Sequence, residues 1–202
     1  MPLVTAAALV DRANNGQVVS FPTDTVPALA AQPDAAPLIY QLKRRSPDKP
    51  LILMTASLPE IWDYVVGSET EKAQWQAIAQ QYWPGALTLV LPASEKVSAA
   101  MNPTNSGTIG VRVPDLALAQ GILRETGPLA TTSANRSGEA SPKTPEDVMG
   151  SIGDQIDILI DGGPCELGQD STVVDLTDNV PRILREGAEL ETIQQAVSDI
   201  EA

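Results

Sequence analysis

The chain has 202 residues, with 13 Lys and Arg against 26 Asp and Glu, and a formal charge of −13. A field of that sign repels phosphate, which argues against general affinity for nucleic acid or an anionic membrane, and an aromatic content of 3% leaves few rings for base stacking. Histidine is absent and cysteine occurs once, at Cys165, which removes Ser-His-Asp and Cys-His nucleophile systems, His-ligated zinc, internal disulfides and cysteine metal clusters. No apolar run approaches the roughly 18–20 residues of a membrane span. The N-terminus lacks a basic leader region, and Asp11-Arg12 interrupts its apolar stretch. These features set the expectation of a single domain over residues 1–202, in the cytoplasm, with a core large enough to need no staple.

In chain order, Thr5 caps an apolar helical stretch that Asn14-Asn15-Gly16 stops. Residues 17–21 (QVVSF) read as a strand running into Pro22-Thr23-Asp24-Thr25. Residues 34–42 read as a helix leading into a basic turn, and 51–54 (LILM) as a short buried strand. Ser57-Leu58-Pro59-Glu60 and Ser68-Glu69-Thr70-Glu71 both fit the capping box, so each predicts a helix, the second running to about residue 82. Pro84-Gly85 is a turn, followed by strands over 86–91 (ALTLVL) and 108–113 (TIGVRV). A helix over 115–125 stops at Gly127-Pro128, and 129–131 is a brief strand into a hydroxyl-rich run. Thr144-Pro145-Glu146-Asp147 is a helix start. Strands are expected over 156–160, 171–176 and 182–184, and an acidic amphipathic helix over 189–200 closes the chain. Strands and helices alternate at first and strands cluster later, which predicts an α/β domain with a twisted mixed sheet flanked by helices.

The positive charge is unevenly spread. Lys43, Arg44, Arg45 and Lys49 place four of the 13 basic residues within seven positions. They fit a solvated helix end, where cations meet the dipole, or an anion site, since an acidic protein that handles phosphate must gather cations locally. Two polar clusters follow apolar strands, where α/β folds place ligands: Pro22-Thr23-Asp24-Thr25 and Thr131-Thr132-Ser133-Ala134-Asn135-Arg136-Ser137-Gly138. Each can bond a ligand or cap a turn. There is no Walker A sequence and no G-x-G-x-x-G. Gly162-Gly163-Pro164 reads as a turn, Cys165 as a small apolar residue, and Trp62, Trp75 and Trp83 as packing.

Taken together, these segments resemble the YrdC/Sua5 family of L-threonylcarbamoyladenylate synthases. Lys43-x-Arg45-x-x-x-Lys49-Pro50 resembles the family's basic motif, and Ser133-Ala134-Asn135-x-Ser137-Gly138 its S-A-N-x-S-G loop. Thr108-x-x-Val111-Arg112-x-Pro114, Ser171-Thr172-Val173-Val174-Asp175 and Ile183-Leu184-Arg185-x-Gly187 follow in the same order. The resemblance implies a YrdC-like fold of the short kind, without the additional C-terminal Sua5 domain. It implies synthesis of threonylcarbamoyl-AMP from threonine, bicarbonate and ATP, with pyrophosphate released, for the t6A modification of tRNA. Magnesium would accompany ATP, with no dedicated protein metal site, and a separate threonylcarbamoyl transferase complex would take the product. Such a protein needs little or no direct contact with nucleic acid.

Carried over residue by residue, Lys43, Arg45, Lys49, Thr108, Ser133, Asn135, Ser141 and Arg185 resemble the ATP contacts, with Lys49 and Arg45 implied in catalysis. Asn135 fits either a ligand contact or a loop-orienting role, and Arg44 is the position outside the motif. Thr23, Arg112, Thr131 and Ser171 resemble the contacts to threonine, the Arg112 fork suiting a carboxylate. The chain departs from the family at Pro27, where an aromatic residue is usual, and at Ala28, where glycine is usual. A backbone that needed positive φ there would be strained by alanine. Two other readings remain open on the sequence: a paralogue of the same fold with another acceptor, and an RNA-binding module built on the basic cluster.

Overall fold

The computed structural model describes residues 3–153, 155–156, 158–159, 162–178 and 180–200. The first helix, α1 (Ala6–Asn14), starts where the Thr5 hydroxyl accepts from the Ala8 amide and ends as Gly16 takes φ +77°. Then follow β1 (Val19–Phe21), β2 (Ala28–Ala31), α2 (Ala36–Lys43), β3 (Ile52–Met54), α3 (Leu58–Ile61), α4 (Glu69–Tyr82), β4 (Leu87–Pro92) and β5 (Thr108–Arg112). The chain continues through α5 (Ala117–Thr126), β6 (Leu129–Ser133), α6 (Pro145–Ile152), β7 (Ile158–Leu159), β8 (Thr172–Asp175), β9 (Arg182–Arg185) and α7 (Leu190–Ile200).

Among the described residues, nine strands form one sheet in the order β7-β1-β2-β6-β3-β5-β4-β8-β9. The pairs β1/β7, β3/β5 and β4/β8 are parallel and the others antiparallel, so the sheet is mixed as expected. Adjacent residues of one strand serve opposite cores, because side chains alternate across a sheet. Ala28 and Ala30 of β2, Met54 of β3 and Leu129 of β6 pack with α1 and α5. Leu29 and Ala31, Leu53 and Ala130, one residue out of step, join the larger core with Ile39 of α2, Trp75 and Ile78 of α4, Val148 of α6 and Ile193 of α7. Leu87, Leu89 and Leu91 of β4 are at most 1% exposed, and each contributes roughly 1.5–3 kcal/mol by leaving water.

Two elements differ from the sequence expectation. Strand β2 was not expected. Its four residues (ALAA) are all buried, so they carry no polar alternation, and alanine has little strand preference. Ser57 does open a helix, but α3 is a single turn. The Ser57 hydroxyl bonds the Glu60 carboxylate (2.6 Å) and makes no bond to a backbone amide, so the capping box is not formed. At Ser68 and Thr144 the box is complete, each hydroxyl meeting the amide three residues on while Glu71 or Asp147 reaches back. The expected strand over 156–160 is observed at β7, and positions 157 and 160 lie outside the described residues.

Candidate functional site

Helices α1 and α5 cover only part of their face of the sheet. Beyond Met54 and Leu129 the same face turns polar, and a pocket opens over it. Its floor is Ile52 and Met54 of β3, Thr131 and Ser133 of β6, and Ala28 of β2. The register explains this grouping: Ile52 lies opposite Thr131 and Ala28 opposite Ser133, so alternate residues of adjacent strands share one face. The walls are Thr23, Thr25, Val26 and Pro27 after β1, Arg45 and Pro50 after α2, Arg112 ending β5, and Asp170, Ser171 and Arg185 around β8 and β9.

The turn after β1 is knit by Thr23. Its hydroxyl accepts from the Thr25 and Val26 amides (both 3.2 Å) and donates to the Val26 carbonyl (2.7 Å). That geometry presents Asp24 and Thr25 to Arg112. One Arg112 nitrogen bonds both Asp24 carboxylate oxygens (2.7 and 2.8 Å), the other terminal nitrogen bonds Thr25 Oγ1 (2.7 Å), and Nε bonds the Gly85 carbonyl (3.0 Å). Both partners of the ion pair are nearly dry, at 5% and 6% exposure. Burial pulls the Arg112 pKa down and the Asp24 carboxylate opposes it. At most four of its five N–H groups are so engaged, so at least one is left for a further acceptor.

The basic motif divides its residues. Arg44 caps α2 in the left-handed conformation (φ 51°) and is exposed, while its neighbours turn inward. Lys43 is 1% exposed and does not line the pocket. Its ammonium donates to the Ser133 carbonyl, to the Asn135 carbonyl (2.6 Å) and to Asn135 Oδ1 (3.3 Å). Burial lowers its pKa to about 7, helped by the Arg45 charge and opposed by Asp170 and Glu139. The Ser133 hydroxyl also donates to Asn135 Oδ1 (2.6 Å), and Asn135 Nδ2 donates to the Glu139 carbonyl (2.7 Å). Lys43 and Asn135 therefore hold the loop after β6 from beneath. Asn135 is bonded within the loop, as its loop-orienting reading expects, and Lys43 lies beneath it outside the pocket lining.

Arg45 Nε bonds the Lys49 carbonyl (2.9 Å) and its terminal nitrogen the Pro50 carbonyl (3.1 Å). Arg185 bonds the Ser171 carbonyl (3.0 Å) and hydroxyl (2.9 Å), and Ser171 Oγ also meets Thr88 Oγ1 (2.8 Å). Among the described residues neither arginine has a carboxylate within ion-pair distance. Burial lowers the pKa of Arg45 and of Arg112, and the Arg185 charge adds to the lowering of each. Three guanidiniums thus converge on one pocket and repel one another, a placement that an anion between them would relieve.

The remaining expected residues lie around this centre. Thr131 Oγ1 bonds the Ile52 carbonyl (3.1 Å) on the floor. Lys49 is exposed outside the lining, and Thr108, at the start of β5 and also outside the lining, is bonded to Ser106 (2.9 Å). Ser141 stands behind the wall and donates to Asp170 Oδ2 (2.8 Å). Pro27 lines the pocket and its carbonyl accepts from the Ala134 amide (2.9 Å). Ala28 is ordinary strand, paired with Phe21 and Ser133, and has no positive φ, so the strain expected for alanine there does not arise. Asp24 and Thr25 stood in the polar run singled out after the first strand but were not carried over as site residues, and Asp170 was missed. Asp24 had a signal: it stands in that polar run after a strand, where a carboxylate can pair with a buried arginine.

The fold and the site define a mixed α/β protein with an arginine-lined, hydroxyl-rich pocket on its central sheet. A Sua5/YciO/YrdC family model, described as "Telomere recombination", matches residues 11–187. The chain belongs to that family. It is 38% identical over 190 residues to the threonylcarbamoyl-AMP synthase of Bacillus subtilis, covering 92% of this chain and 54% of that protein. It is 35% identical to the Vibrio vulnificus threonylcarbamoyl-AMP synthase, over 89% of this chain and 96% of the relative. Pyrococcus abyssi Sua5, solved in complex with L-threonine, superposes with a TM-score of 0.88 at 34% identity, over 95% of this chain and 56% of that one. The chain thus spans about half the length of some curated relatives and nearly all of others. No helix among the described residues is long and apolar enough to cross a membrane.

Proposed function

We propose that the protein synthesises L-threonylcarbamoyladenylate from threonine, bicarbonate and ATP. The observation that carries this reading is the convergence of Arg45, Arg112 and Arg185 with a ring of hydroxyls on one pocket, in a chain whose net charge is −13. The names of the relatives support it, as does the threonine bound by the P. abyssi protein.

The chemistry suits the residues present. Threonine ammonium and bicarbonate give the N-carboxylate with loss of water and a proton. That carbamate oxygen then attacks the α-phosphorus of ATP, the bond to the β-phosphate oxygen breaks, and pyrophosphate leaves, which makes the protein a nucleotidyltransferase. The attacking oxygen is already anionic, so no histidine base is needed. Placement and charge neutralisation carry the barrier reduction. Arg112, locked by Asp24, grips the threonine carboxylate, with Thr23, Thr131 and Ser171 around the amino acid. Arg45, Arg185 and Ser133 face the phosphates, and Lys49 reaches them from the rim. Lys43, Asn135 and Ser141 act through the loops they hold, and Thr108 borders the nucleotide's far end. Magnesium would be carried mainly by the triphosphate, as suits an ion that keeps most of its waters, and would there neutralise phosphate charge. The product passes to a threonylcarbamoyl transferase in the cytoplasm for t6A synthesis.

The test is incubation with ATP, magnesium, bicarbonate and threonine, with pyrophosphate measured and the adenylate identified by mass. Product that requires both threonine and bicarbonate is expected. ATP binding with no such product would assign the fold to another acceptor.

A further inference from the structure

The pocket wall contains two carboxylates with different fates. Asp24 is consumed by Arg112 at 2.7 and 2.8 Å. Asp170 is not consumed: its Oδ2 accepts from the Ser141 hydroxyl (2.8 Å), and among the described residues Oδ1 has no hydrogen bond and no cation lies within 4.0 Å. Its backbone is fixed, since the Asp170 carbonyl accepts from the Ala188 amide (2.8 Å) and sits against Gly187, where a Cβ would come within 2.3 Å of that oxygen. The carboxylate is therefore held at the pocket by its own backbone and by Ser141, with one oxygen uncommitted. Three arginines share that wall and none of them closes on it.

Resting on the synthase reading, we propose that Asp170 binds the α-ammonium of the amino-acid substrate, opposite the Arg112 that takes its carboxylate. The two charges of an α-amino acid sit on one carbon, so their receptors must face each other across a single small pocket. Arg112 and Asp170 both line that pocket, and Asp170 lies near enough to favour the protonated form of Arg112. A single carboxylate is a poor site for a hard divalent cation, which takes six or more oxygen ligands, whereas it matches an ammonium well. The pocket would thus select zwitterionic amino acids over hydroxy acids of the same shape, and it would hold the nitrogen that must be carboxylated in a fixed place.

The test is calorimetric binding of threonine and of 3-hydroxybutyrate, which is threonine without its amino group, to the wild type and to Asp170→Asn. The wild type is expected to prefer threonine by roughly tenfold or more, and the variant to lose that preference while ATP affinity stays within about twofold. An Asn variant that keeps the full preference overturns the proposal, as does one changed only in its magnesium requirement. Crystals of the wild type soaked with threonine decide independently of the variant's folding. Nitrogen within about 3.2 Å of Asp170 Oδ1 is expected, and a nitrogen turned away from it overturns the proposal. A wild type that binds no threonine at all fails differently: it removes the synthase reading, and the ammonium site with it.

Discussion

Replacing Asp24 with alanine removes the partner of a guanidinium that is 5% exposed and leaves its charge in the wall of the pocket. The two contacts at 2.7 and 2.8 Å are lost, while the bonds to Thr25 and Gly85 remain. Breaking one side of a buried pair costs about 3–5 kcal/mol, mostly because the remaining charge is uncompensated. For a chain of this length each kcal/mol lowers Tm by roughly 2–4 °C, so a fall of about 6–20 °C is expected. Arg112→Met strands the opposite charge and should cost a similar amount. The double variant leaves no stranded charge, so it should be little worse than either single one, with a coupling of at least about 2 kcal/mol. Urea unfolding of the four proteins at pH 7.5 measures this. Single effects below about 1 kcal/mol, or two effects that simply add, would show that the pair does not hold the wall as described.

Lys43 has a folded pKa of about 7 against an ordinary value of 10.5, lowered first by burial and then by Arg45. Between those values the unfolded chain binds more protons than the folded one, so this group's contribution to stability rises as pH rises through that window and is lost as pH falls toward 7. The stability of the wild type relative to Lys43→Met should therefore grow from pH 7.5 to pH 9, by up to about 1.4 kcal/mol per unit, and a difference independent of pH would contradict the burial described. Lys49→Ala should leave urea stability within about 0.5 kcal/mol, because the side chain is exposed, while sharply reducing synthesis of the adenylate; unchanged turnover would make it a surface residue. Ala28→Gly should lower stability by about 0.5–1 kcal/mol without improving threonine binding, since the position is regular strand; a gain in stability would mean the backbone there favours glycine after all.

The order of elements was legible where local chemistry is strong: the caps at Thr5, Ser68 and Thr144, and the stop at Gly127. Strand β2 was not, because a strand buried on both faces loses the alternation by which strands are recognised. Several motif residues meet in the walls of one pocket, but a motif does not say which way a side chain turns. Lys43 and Arg45 are two residues apart, and the left-handed Arg44 between them sends one beneath the loop after β6 and the other to the pocket. Asp170 was invisible for a different reason. It is one of 26 acidic residues, and only the three-dimensional placement separates it from those that face solvent.

The central claim is that three guanidiniums in an acidic protein form one site for a triphosphate and an amino acid. A crystal structure with ATP and threonine bound tests it most directly. The nucleotide phosphates should lie within hydrogen-bond reach of Arg45 and Arg185, with the threonine carboxylate on Arg112. Phosphates bound elsewhere on the molecule, with these arginines left facing an empty pocket, would contradict it.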